Sequence, residues 1–150
     1  SVSMGVWVDV GARDESEQQS GLSHFIEHMI FKGTARRSAY QIAKEFDAIG
    51  GHTNAFTSME NTCYHAKVMD SHLTTMVEIL SDIFLNSAFD PQEVERERPV
   101  ILQEIGMVED SPEEYLHVLA GENYWGFNMP AAWSAYRAST NSARSLSTAR

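Results

Sequence analysis

Apolar residues along this chain switch between a spacing of two and the roughly 3.6-residue spacing of a helix, and the order of those switches constrains the fold most tightly. Val2, Met4, Val6, Val8 and Val10 alternate with small or polar positions, the pattern of a half-buried strand, and Gly11 ends it. Arg13 to Ser20 is a polar loop. From Gly21 to Phe31 the residues Leu22, Phe25, Ile26, Met29 and Ile30 recur at helical spacing, and Lys32-Gly33-Thr34 stops that helix. Ser38 reads as the N-cap of a second helix, Ala39 to Ile49, closed by Gly50-Gly51. Thr53 to Ser58 and Thr62 to Val68 read as two strands. Ser71 to Leu85 is an amphipathic helix carrying Leu73, Met76, Val77, Leu80, Ile83 and Phe84. Asp90-Pro91 opens a long helix that includes Glu104, with Pro99 inside it, where a kink or break is expected. Ser111-Pro112 starts a last helix through Tyr115, Leu116 and Leu119. This order predicts an α+β fold, a mixed or antiparallel sheet with helices packed on it.

At 150 residues the chain suffices for one domain with a sizeable core. Its net charge of -10 argues against non-specific nucleic-acid binding. The single cysteine, Cys63, excludes an intramolecular disulfide framework, and on a strand it is expected to pack rather than react. No apolar stretch approaches the roughly 18 residues of a membrane span. Neither a P-loop nor a GxGxxG pattern supports nucleotide chemistry. Ser1 falls inside a predicted strand, so a natural N-terminus with any leader is expected upstream.

His24-Phe25-Ile26-Glu27-His28 carries the chemistry. Side chains at i and i+4 lie on one helical face, so both imidazoles can point at one metal ion. Glu27 lies about a turn from His24, where a carboxylate can reach a water on that metal without being a ligand. A metal-activated water, a general base and a Lewis acid are what peptide hydrolysis needs. Catalytic zinc usually takes three protein ligands. Glu104 is the chosen third, because it follows Val100, Ile101 and Leu102 in an apolar setting that a carboxylate avoids unless something satisfies it. Glu97, two helical turns earlier on the same face if Pro99 leaves the helix intact, could orient a ligand. The bland alternative is two surface histidines on an amphipathic helix. A structural zinc site is disfavoured, since such sites are rich in cysteine.

The match extends beyond the motif. Gly21 to Thr34, Gly50-Gly51 with Asn54-Ala55-Phe56-Thr57, and Glu95 to Arg98 followed by Val100 to Ile105 together resemble the signature blocks of the pitrilysin, or insulinase, family of zinc metallopeptidases. These are the inverzincins, which include the mitochondrial processing peptidase β-subunit and bacterial processing proteases. The resemblance implies the N-terminal part of a pitrilysin-type metallohydrolase domain of the LuxS/MPP-like fold. It implies zinc (Zn2+) held by His24, His28 and Glu104, Glu27 as general base, and Glu97 as an acid behind the ligands. It also implies that Asn54, Ala55 and Phe56 lie on a strand that holds an extended peptide by strand addition. A second homologous half or partner subunit would enclose the substrate, an extended peptide, presequence or unfolded polypeptide, so residues 1–150 alone are expected to be weakly active. The competing class is a non-catalytic partner subunit or scaffold of the same fold. The compartment is not legible, with the bacterial cytoplasm favoured by resemblance over the periplasm or mitochondrial matrix.

The resemblance covers residues 2 to about 120, giving a partial catalytic domain at 1–125 and a divergent tail at 126–150. Residues 131–150 hold three arginines and neither Asp nor Glu, in a chain with 21 acids. The codons TGG TCG GCC TAT CGG would encode Trp133 to Arg137, and shifted by one base they read Gly-Arg-Pro-Ile, close to the family's continuation. A frameshift or truncation is therefore expected, the alternative being a disordered tail. His52, His65, His72 and His117 are assigned no role. Phe25, Phe31, Phe46, Phe84 and Phe89 are expected in the core, and Arg36, Arg37, Arg96 and Arg98 solvated or ion-paired.

Overall fold

The computed structural model describes residues 1–16, 18–19, 21–113 and 116, without the side chains of residues 105, 108 and 109. The predicted order of elements is present. Strand β1 (Val2–Val8) leads to helix α1 (Leu22–Met29) and helix α2 (Ala39–Ala48). Strands β2 (His52–Thr57) and β3 (Thr62–Val68) follow, then helix α3 (Leu73–Leu85) and helix α4 (Pro91–Glu109). The fold is α+β: the three strands form one antiparallel sheet in the order β1-β3-β2.

Register decides which side chains meet the helices. Val6 and Ala55 both pair with Tyr64, and Met4 and Thr53 both pair with Ala66, so these residues share one sheet face. Ala66 and Val68 on that face join Ile42 and Phe46 of α2 and Met76, Ile79, Leu80 and Ile83 of α3 in the core. Met4, Phe31 and Ile49 pack against its rim. Trp7, Cys63 and Phe56 lie in register on the opposite face. There the Trp7 and Phe56 rings meet edge-on at 5.6 Å, and Cys63 is buried. Burial pushes the Cys63 thiol pKa up, which suits packing better than reactivity.

Local chemistry sets the ends of the site-bearing helix. Gly11 approaches the β2–β3 turn so closely that a Cβ would stand 2.6 Å from its backbone atoms, and Ala12 and Arg13 then donate to the carbonyls of Ser58 and Met59. The following loop brings Glu15 to the start of α1, where its carboxylate accepts from the N–H groups of Gly21 (2.6 Å) and Ser23 (2.7 Å). An acid at a helix N-terminus satisfies orphan donors and matches the helix dipole. Ser38 caps α2 as expected, its hydroxyl accepting from Gln41 N–H while its own N–H donates to Gln41 Oε1.

Three expectations need correction. The break at Pro99 is absent: α4 runs through it, with Arg98 paired to Glu95 and Glu97 anchored to α1 just ahead of the missing N–H. Phe89 is 45% exposed at a positive φ of 46°, a turn residue ahead of α4 rather than core. Glu104 does not sit in an apolar setting, since its side chain is 44% exposed and neighbouring Val100 is 43% exposed. The last helix begins at Pro112 and Glu113 but lies mostly outside the described residues, as does the tail at 126–150. No helix among the described residues is long and apolar enough to cross a membrane.

Candidate metal centre

Helices α1 and α4 bring His24, His28, Glu97 and Glu104 together. His28 Nδ1 lies 2.9 Å from Glu97 Oε1. A carboxylate only accepts, so Nδ1 carries the hydrogen, and it is the tautomer with this arrangement that leaves Nε2 as the ligating atom. That Nε2 lies 3.2 Å from His24 Nε2 and 3.3 Å from Glu104 Oε2, while His24 Nε2 is 3.7 Å from the same oxygen.

These separations have a simple meaning. Ligand atoms about 2.0–2.1 Å from a tetrahedral ion stand roughly 3.3 Å apart along the tetrahedron's edges. The observed 3.2, 3.3 and 3.7 Å form such a triangle. His28 Nε2 and the Glu104 carboxylate oxygen face each other at 3.3 Å, a contact that a cation shared between them satisfies. Two imidazoles and one carboxylate form a donor set that zinc accepts, and His24, His28 and Glu104 are the one such cluster among the described residues. Burial, reinforced by the neighbouring His28, lowers the pKa of His24 and so keeps it neutral, the form able to ligate.

Glu97 sits behind this triangle. Its side chain is 8% exposed, and its second oxygen, Oε2, contacts Lys32 Nζ at 2.5 Å. Burial pushes its pKa up, but hydrogen bonds from Lys32 and His28 outweigh that and hold it below the ordinary range.

Glu27 stays outside the triangle. Thr57, at the end of β2, donates its hydroxyl to Glu27 Oε2 at 2.6 Å. Tyr64 is nearby, and burial together with the Glu27 charge pushes its pKa up to about 12, so it stays protonated. Glu27 and His28 line a cleft of about 290 Å³ with Phe31, Lys32, Thr53, Asn54, Ala55 and Glu97. Asn54 and Ala55 border this cleft on β2, an edge strand among the described residues, whereas Phe56 turns to the far sheet face against Trp7 and His65.

Sequence reasoning brought together the residues that meet here and missed two that hold them, Lys32 and Thr57. Lys32 follows His28 by four positions, the interval that had linked the two histidines, and that was a usable signal. Thr57 had none, because its contact with Glu27 crosses from strand to helix.

A three-strand sheet covered by helices, with an inverted histidine pair facing a distant glutamate, defines the metallohydrolase class. The chain belongs to the insulinase family (peptidase family M16), whose model matches residues 1–129. It is 48% identical over 126 residues to the "Uncharacterized zinc protease YmxG" of Bacillus subtilis, covering 84% of this chain and 31% of that protein. It is 47% identical over 124 residues to the "Probable mitochondrial-processing peptidase subunit beta" of Arabidopsis thaliana, covering 80% of this chain and 23% of that one. A solved protease from Helicobacter pylori superposes with a TM-score of 0.74 at 29% identity, over 77% of this chain and 28% of that chain. The chain thus spans about a quarter to a third of the relatives it matches.

Proposed function

We propose that this chain carries the catalytic site of a zinc-dependent endopeptidase acting on extended peptides. One observation carries the reading: three ligand atoms stand at tetrahedral-edge separations while Glu27, on the same helix, stays out of the triangle at the cleft wall. His24, His28 and Glu104 would hold zinc, and the names of the relatives point to the same metal. Bound there, zinc supplies a Lewis acid that lowers the pKa of a water to about 7 and polarises a peptide carbonyl.

The chain's own residues do the rest. Glu27 takes a proton from the attacking water and returns it to the leaving amine. Thr57 occupies one of its carboxylate oxygens and leaves the other for that transfer. Glu97 fixes the tautomer of His28 so that Nε2 faces the metal. The edge of β2 at Asn54 and Ala55 offers backbone groups to an extended substrate, a mode that gives affinity with little sequence preference.

The test is digestion of an unstructured peptide by the intact gene product beside its Glu27→Gln variant, with zinc content checked in both. The expected result is cleavage by the parent, arrest by chelator, and a variant that keeps zinc and loses nearly all activity. Bound zinc without cleavage in either protein would instead favour a non-catalytic partner subunit.

A further inference from the structure

We propose that Lys32 is a positioning residue for the metal site, holding Glu97 in place and through it the imidazole of His28. The inference rests on the reading of His24, His28 and Glu104 as zinc ligands and extends it to a residue that touches none of them.

The two oxygens of Glu97 have separate partners. Rotation of a carboxylate about its last bond is broad, so a single contact leaves its plane free to turn. Glu97 has two contacts on opposite oxygens, His28 Nδ1 at 2.9 Å on Oε1 and Lys32 Nζ at 2.5 Å on Oε2. Together they fix the direction in which Oε1 meets the imidazole, and hence the direction of Nε2. Neighbouring cations do not share the task, because Arg96 pairs with Glu93 and Arg98 with Glu95. The Lys32 backbone is itself pinned. Its N–H donates to the Met29 carbonyl at 3.0 Å; of the next two residues, Gly33 accepts from Ala88 N–H and Thr34 N–H donates to the Arg37 carbonyl. Lys32 therefore reaches Glu97 from a fixed base one turn beyond His28. Partners at this remove from a metal typically alter its affinity by about 10–100-fold when lost.

Zinc affinity measures this without any turnover. In the intact gene product, the zinc dissociation constant is determined by competition with a chromophoric chelator for the parent, Lys32→Met, Lys32→Arg, Glu97→Gln and the double variant Lys32→Met/Glu97→Gln. The expectation is a weakening of about ten-fold or more in Lys32→Met and near-parent affinity in Lys32→Arg. In the Glu97→Gln background, loss of Lys32 should add nothing, because Lys32 acts through Glu97. A merely structural lysine would lower the melting temperature of the chelated protein and leave zinc affinity unmoved. Lys32 is 30% exposed, so Lys32→Met opens no core, and Lys32→Gln run in parallel guards against misfolding of one variant. Parent-like affinity in folded Lys32→Met and Lys32→Gln, or additive losses in the double variant, overturns the proposal. A parent that binds no zinc overturns the reading of the site itself, and this inference with it.

Discussion

Thr57 hydrogen-bonds Glu27 at 2.6 Å and so ties the end of an edge strand to the helix that carries both histidines. A hydrogen bond to an ionised group contributes about 1.5–3 kcal/mol. If most of that serves to aim the carboxylate, Thr57→Val should lower kcat by roughly ten-fold, since about 1.4 kcal/mol is a factor of ten in rate. KM and zinc content should hold, because Thr57 touches none of the proposed ligands, and Thr57→Ser should restore most of the rate. Steady-state kinetics on one peptide, with zinc measured in each protein, separates this from collapse of the site; an unchanged kcat in Thr57→Val refutes it. The contrast with Glu104 shows where a sequence is legible. His24, Glu27 and His28 sit on one helix, so their relation follows from helical geometry alone. Glu104 was chosen for an apolar setting that the fold does not give it, and its real qualification is its place against α1. That relation, like the Thr57 contact, spans elements distant in sequence, and no local pattern encodes it.

Among the elements, the connection between α1 and α2 is held by an ion cluster with a buried pair, Arg37 and Asp82, and two exposed carboxylates, Glu45 and Glu78. Arg37 donates to Asp82 at 2.7 Å, Glu45 at 2.9 Å and Glu78 at 3.1 Å, and Thr34 adds a hydrogen bond to Asp82 at 2.9 Å. Burial pushes the pKa of Asp82 up, but hydrogen bonds from Arg37, Asn86 and Thr34 outweigh that and leave it below its ordinary 3.8. The sign follows directly. A folded pKa below the unfolded one means that unfolding takes up protons in acid, so this stabilisation is complete above about pH 4 and fades as pH falls through the folded value. The melting temperature of the parent should therefore fall in acid, and Asp82→Asn should flatten that fall. At neutral pH Asp82→Asn should cost roughly 2–3 kcal/mol, toward the low end for a broken buried pair because Arg37 keeps Glu45 and Glu78. Melting curves between pH 3 and 7 decide it, and parallel curves for the two proteins would sink the assignment. The helices were legible because their start and stop signals are local: Ser38 opens α2, and Gly33 and Gly50 act on their own turns. Arg37 was read as solvated or ion-paired. Its partners, one on α2 and two on α3, meet it only after the helices pack, so its burial was not legible.

For the whole molecule, the question is how much of a peptidase these residues contain. The ligand triangle and the groups behind it come from α1, α4 and the turn after α1, all within the matched region. Zinc binding should therefore belong to residues 1–150 themselves. Catalysis asks for more, because a substrate must be held with its scissile bond at the metal, and orientation of that kind is worth about 7–11 kcal/mol in well-placed reactions. Among the described residues the cleft is lined by β2, by α1 with the turn after it, and by Glu97 of α4, while His24 and Glu104 are 32% and 44% exposed. The relatives are three to four times longer than the stretch they share with this chain, which gives room for an opposing wall. Residues 1–150 alone should bind zinc with an affinity close to that of the intact gene product and cleave the same peptide at least about a hundred-fold more slowly. Chelator competition and peptide digestion, run side by side on the two proteins, check both halves. Equal cleavage rates would mean that this lining of the cleft suffices to hold the substrate. Loss of zinc binding by residues 1–150 would mean that the triangle depends on packing from beyond them.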